Sequence, residues 1–133
     1  PFSHHPPYCK GPMHDEDATR LRQNIIPRCK SAGIRTFISG HEHNFQCIDS
    51  PSPDDGVRCF ITGGGGGFRE SRPGKSTDGF MHSWGGNKTG HFLIVTISGD
   101  RMTVEPIDST GQPLRLFNVV ESELPSSIIT IER

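Results

Sequence analysis

The sequence predicts an α/β domain with one main helix, one buried strand of the parallel type, and an antiparallel meander after it. Three observations predict it. Apolar residues recur at helical spacing over 15–32, which puts Ala18, Leu21, Ile25, Cys29 and Ala32 on one face. A short β-branched and aromatic run, 34–39 (IRTFIS), follows and ends at Gly40, as a buried strand does. Farther on, 91–98 (HFLIVTIS) and 101–107 (RMTVEPI) flank Gly99-Asp100, a hairpin with glycine first, as a type II′ turn prefers.

Taken in order, 1–14 read as a loop because Pro6, Pro7, Gly11 and Pro12 deny regular hydrogen bonding, with Phe2 closing a strand. The helix over 15–32 opens on Asp15, Glu16 and Asp17 and ends on Arg28 and Lys30, charges that suit its dipole. Gly33 supplies its stop, and Pro27 is expected to kink it or split it in two. Beyond Gly40, short strands are predicted at 45–48 and 57–62, with a turn at 50–56 between them. Residues 63–90 begin with five glycines and read as one long irregular loop, functional or mobile. In the hairpin, Met102 and Val104 alternate with Thr103 and Glu105, which leaves one face wet. A third meander strand is predicted at 114–120 and a last one at 128–131. Residues 91–120 are expected to pair among themselves. The strand at 34–39 is expected to lack a partner on one side.

Composition narrows the function classes. Of 133 residues, 31% are apolar, and 16 Gly and 11 Pro make the chain loop-rich, which excludes a helical bundle or coiled coil. A chain this long buries roughly two-thirds of its unfolded surface, enough for one small core. No apolar run approaches the roughly 18 residues of a membrane span, and no charged and apolar leader opens the chain. The 14 basic and 15 acidic residues are interspersed, so neither nucleic acid nor a membrane surface is an expected partner. Cys9, Cys29, Cys47 and Cys59 form no C-x-x-C pair; they read as buried thiols before disulfides, and the redox compartment stays open. Pro1 opens the sequence in mid-motif, and a longer parent protein is expected.

Seven histidines are the unusual figure, and five fall within the first 43 residues. Gly40-His41-Glu42-His43-Asn44 stands where a buried strand empties into a loop, the position at which open α/β sheets bind ligands. In extended backbone His41 and His43 would project to the same side, and neutral imidazole is the commonest protein ligand for zinc and similar ions. Alone, such a pair more often marks two exposed loop histidines. Here His4-His5-Pro6-Pro7-Tyr8 lies one αβ unit upstream, so both loops can leave the same end of the sheet. Converging imidazoles favour a metal.

The pattern S-H-H-P-P-Y, a helix, a strand and then G-H-E-H-N-F-Q resembles the second half of the calcineurin-like metallophosphoesterases, the purple acid phosphatase branch above all. The resemblance continues through 60–67 (FITGGGGG) and through G-H-F-L, S-G-D and D-S-T-G over 90–116, and so covers nearly the whole chain. It implies that 1–133 are the C-terminal part of one catalytic domain, half of a four-layer α/β/β/α sandwich. The implied cofactors are two divalent or trivalent metal ions, iron with zinc, manganese or a second iron. His4 and His41 would bind one ion and His43 the other. His5, at a place where the family tolerates aromatic residues, would shape the pocket. His14 would stand beside the phosphate, binding it or protonating the leaving oxygen as the catalytic acid.

The implied function of the full-length parent is phosphoric ester hydrolysis, by an acid-phosphatase-like phosphomonoesterase whose nucleophile is a metal-bridging hydroxide. Its partners would be a phosphate ester and the missing N-terminal half, and its location extracytoplasmic or secreted. A phosphodiesterase of the same superfamily and a truncated, non-catalytic metal-binding fragment are the alternatives. The family's D-x-H, G-D-x-x-D and G-N-H-[ED] ligand blocks do not occur in this sequence. Residues 1–133 by themselves are therefore expected to take up metal weakly and to show no appreciable turnover. Gly63–Gly67 with Gly74-Lys75-Ser76 misses the spacing of a phosphate-binding loop, and Phe80, His82 and Trp84 read as a satellite cluster before a pocket rim.

Overall fold

Helical periodicity over 15–32 produces two short helices, α1 (Asp15–Asn24) and α2 (Ile26–Ser31), in the computed structural model. The structure describes residues 1–9, 15–49, 56–66, 80–83, 90–118, 126 and 128–132. Pro27 sits in the first turn of α2, where its missing N–H costs no internal bond. The split that this proline predicts is thus observed. At the far end Gly33 has φ 68°. Its N–H reaches Lys30 O at 3.0 Å and Ile34 N–H reaches Cys29 O at 2.8 Å, the paired bonds of a Schellman stop.

Among the described residues nine strands follow in order: β1 (Phe2–Ser3), β2 (Thr36–Ser39), β3 (Phe45–Asp49), β4 (Arg58–Thr62), β5 (Phe80–Ser83), β6 (His91–Ser98), β7 (Arg101–Asp108), β8 (Phe117–Asn118) and β9 (Ile129–Glu132). They form a six-stranded sheet of order β1-β2-β4-β3-β5-β8 and a three-stranded sheet of order β6-β7-β9. β1, β2 and β4 are mutually parallel neighbours, whereas β3, β5 and β8 join antiparallel. The fold is therefore α/β, with one mixed and one antiparallel sheet. Between β6 and β7, Gly99 has φ 61° and Asp100 has no positive φ, the pattern a type II′ turn requires.

Two cores flank the large sheet. On one face Ile26 and Cys29 of the helices pack with Phe37, Val57 and Cys59. On the other, Phe45, Cys47 and Phe60 meet Val104, Leu114, Leu116 and Ile129, the last four from the second sheet and its loops. The described residues thus make three layers, helices on sheet on sheet. The fourth layer of the implied sandwich is not among them, and Phe92 and Ile94 on the outer face of β6 are 50% and 45% exposed. Ile61 is fully buried beside Ile48. Ile61→Val is expected to lower unfolding stability by about 0.5–1.5 kcal/mol in urea denaturation, with an unchanged m-value.

Three sequence expectations are corrected. β2 is not bare on one side: it pairs with β4 along its length and with β1 at Ile38 and Ser39. The exposed edge falls on β1, where Phe2 is 81% exposed. The third meander strand does not join the hairpin. Among the described residues Pro113 bridges back to Ile107 and Leu114 N–H reaches Pro106 O at 2.9 Å, while β8 crosses to the large sheet and pairs with β5. β5 itself lies within the stretch read as irregular, and it takes in Phe80 and His82; Trp84 lies outside the described residues. No disulfide joins the four cysteines, three of which are buried and Cys9 half-buried.

Candidate metal centre

The register of β1 on β2 decides where the histidines go. Ser3 lies opposite Ser39 in a parallel pair, so His4-His5 and Gly40-His41 leave the same, C-terminal end of adjacent strands. Gly40 N–H donates to His4 O at 3.1 Å and ties the two exits together. Ser3 Oγ donates to His5 O. Beyond His5 the chain is clamped from below: Pro6 and Pro7 are fully buried, Arg22 of α1 donates to Pro7 O at 3.1 Å, and the same guanidinium lies 5.8 Å over the Tyr8 ring.

His41 is the conformational outlier. Its φ of 70° is the only positive value at a non-glycine residue among those described, and Glu42 N–H closes a three-residue turn onto Gly40 O at 2.9 Å. A γ-turn with positive φ is rare and strained. Strain of this kind costs about 1–3 kcal/mol and collects at functional sites. The turn swings the His41 ring back over the first loop, where its Nδ1 lies 3.0 Å from Nε2 of His4. One ring nitrogen each of His4, His5 and His41 falls within 4.8 Å of the others. The His5 and His41 ring centres are 4.3 Å apart, and His4 stands edge-on to both at 5.0 and 4.9 Å.

The predicted site residues are therefore placed unequally. His4 and His41 come together. His5, read from sequence as a pocket wall, stands with them. His43 lies outside this group because 41–44 turn instead of running extended, which removes the basis for projecting His41 and His43 to one side. Its Nδ1 is buried with no hydrogen-bond partner. His14 lies outside the described residues.

Gly63, which the sequence reading singled out only as part of the glycine run, lies against the His41–Asn44 turn, and the next glycine, Gly64, lies against His91. A Cβ on Gly63 would stand 2.0 Å from the carbonyl oxygen of Glu42, and one on Gly64 would stand 2.1 Å from Nδ1 of His91. Only bare backbone lets the end of β4 lie against that turn and against the ring. Gly63 N–H also reaches Asn44 O at 3.4 Å, and His91 N–H reaches Gly64 O at 3.3 Å. Beneath the turn, the buried Gln46 amide donates to Asn44 Oδ1 at 2.9 Å. The glycine run and G-H-F-L were the available signals.

The His91 ring is 8% exposed and edge-on to Phe45 at 6.0 Å, and burial pushes its pKa below the ordinary 6.5. The unfolded chain then takes up this proton first as pH falls below 6.5. Stability from His91 is full above that value and is lost as pH falls through the folded pKa. His91→Gln is expected to flatten the fall of Tm as pH drops below 6.5. An unchanged slope would contradict this account of the ring.

No known protein-family profile matches the chain. Over 108 residues it is 28% identical to human tartrate-resistant acid phosphatase type 5, a stretch that covers 78% of this chain and 31% of that protein. Among solved structures its fold is similar to that of GAP50, the anchor in the inner membrane complex of Plasmodium. That likeness has a TM-score of 0.65 at 17% identity, over 87% of this chain and 34% of the other. At that identity the likeness is one of fold. The chain spans about a third of the length of both proteins. No helix among the described residues is long and apolar enough to cross a membrane.

Proposed function

We propose that this chain is the histidine-bearing half of a metal-dependent phosphoric ester hydrolase, an acid-phosphatase-like phosphomonoesterase when complete. One observation carries the reading. In a chain similar to an acid phosphatase over most of its length, His4 and His41 meet at 3.0 Å where two parallel strands end.

The donor set fits metal ions. Three imidazole nitrogens converge within 4.8 Å, and His43 holds a buried, unpartnered nitrogen in reserve. His4 and His41 would hold one ion and His43 a second, the pair being iron with zinc, manganese or iron. Bound there, two cations supply a water nucleophile at neutral pH and the charge that holds phosphoryl oxygens. The rest falls to side chains and backbone. The Gly40–Glu42 turn fixes the His41 ring, Gly63 lies against that turn, and His14 binds the phosphate or passes a ring proton to the leaving oxygen.

The remaining ligands would come from an N-terminal half of the same domain. An open groove of about 650 Å³, lined by Phe2, Ile34, Val95 and Ile97 at the β1 edge, supports such a partner. Location outside the cytoplasm belongs to the same proposal and rests on the resemblance alone. A non-catalytic metal-binding role is the second reading, favoured by a clustered donor set that is all imidazole, without a carboxylate.

The test is an assay of the full-length protein with 4-nitrophenyl phosphate and its bis-ester, beside analysis of bound metal. Turnover of the monoester by a two-metal protein is expected; a preference for the diester would shift the reading to a phosphodiesterase. His14→Ala is expected to lower turnover by about a hundredfold or more at unchanged metal content. Loss of metal with that substitution would remove His14 from the phosphate and put it among the ligands.

A further inference from the structure

Resting on the reading of these loops as metal-binding, we infer that His5 is a ligand, and that His4, His5 and His41 form a complete site for one borderline divalent cation within this chain. A tetrahedral ion bound at 2.0–2.1 Å holds its nitrogens about 3.3 Å apart. His4 and His41 already stand at 3.0 Å, and all three rings offer a nitrogen within 4.8 Å. Closing the triangle takes a movement of about 1.5 Å. His4 is exposed, while His5 is anchored by the buried Pro6-Pro7 step behind it. The strained backbone of His41 aims the third ring at the other two.

Three protein ligands with one open position make up the usual donor set of a catalytic zinc site. Two, as counted from the sequence, do not. Neutral imidazoles favour zinc, cobalt, nickel or copper over magnesium or calcium, which seek oxygen. The exposed side of His4 leaves the fourth position to water or an anion. Coordination needs both facing nitrogens of His4 and His41 bare, so the proton between them moves to the far nitrogen of its ring or to water. His43 takes no part in this ion.

The experiment is zinc titration of the 133-residue chain by calorimetry, with cobalt absorption and imidazole nitrogen chemical shifts as second readouts. One zinc per chain is expected, with three rings shifting. His5→Phe keeps an aromatic ring against His41 and removes the ligand, and His5→Ala is a second variant should the first distort the loop. Each is expected to weaken zinc binding by at least about tenfold. Zinc bound as tightly by His5→Phe as by the unaltered chain, or no zinc bound by the folded chain, would overturn the inference. Binding lost with His41→Ala but indifferent to His5 would overturn it and leave the phosphatase reading standing. Tight binding that needs His5, in a full-length protein that hydrolyses no phosphate ester, would sustain it and defeat that reading.

Discussion

His41→Ala is expected to reduce turnover of 4-nitrophenyl phosphate by the full-length protein to about one hundredth or less, with loss of bound metal. The size follows from geometry. His41 faces His4 at 3.0 Å and also joins His5, so its removal breaks two of the three pairwise approaches on which the site depends. Alanine at 41 keeps a Cβ in the same positive-φ turn and so leaves the backbone strain as it was, and the fold should hold. That combination separates a functional residue from a structural one. A circular dichroism spectrum and Tm near the starting values, beside lost metal and lost turnover, are the expected results. A variant that keeps both its metal and its rate would remove His41 from the site.

Gly63→Ala is expected to cost about 3 kcal/mol of stability, the upper end of overpacking penalties. The obstacle is the carbonyl group of Glu42, 2.0 Å from the added carbon, and backbone cannot rotate away as a side chain can. Either β4 or the His41–Asn44 turn must shift, so metal binding should weaken as well. Gly65 and Gly66 provide the control, since nothing lies within 4 Å of a carbon added to either. Their alanine variants are expected to stay within about 0.5 kcal/mol. Urea unfolding of the three variants decides the point, and equal stabilities would mean that Gly63 does not support the turn.

What could be read from sequence was what local pattern encodes. The helix face, its break at Pro27, the glycine stop and the 91–108 hairpin all depend on residues near one another in the chain, and all are observed. The meeting of His4 with His41 was also legible, because a helix and a strand of ordinary length return the chain to the same end of a parallel sheet. Long-range pairing was not. β5 (FMHS) has no clean alternation and sits in a glycine-rich, polar stretch, and nothing local in 114–118 says that β8 will seek β5 instead of β7. The local backbone differs from the sequence expectation at one point for a similar reason. Extended backbone was assumed for 41–43, and the positive φ at His41 reverses the aim of its ring. That turn admits His5 to the cluster and leaves His43 outside it.

The central claim is that these histidine loops bind metal in order to hydrolyse phosphate esters. Its most direct measurement is the 4-nitrophenyl phosphatase rate of the full-length protein before chelation, after removal of metal to below a tenth of an equivalent (roughly the residue of exhaustive dialysis), and after restoring iron, zinc or manganese. The account predicts a rate that falls with the metal and returns with it, and no return in the His41→Ala protein. A metal-free protein that turns over at the starting rate would contradict it.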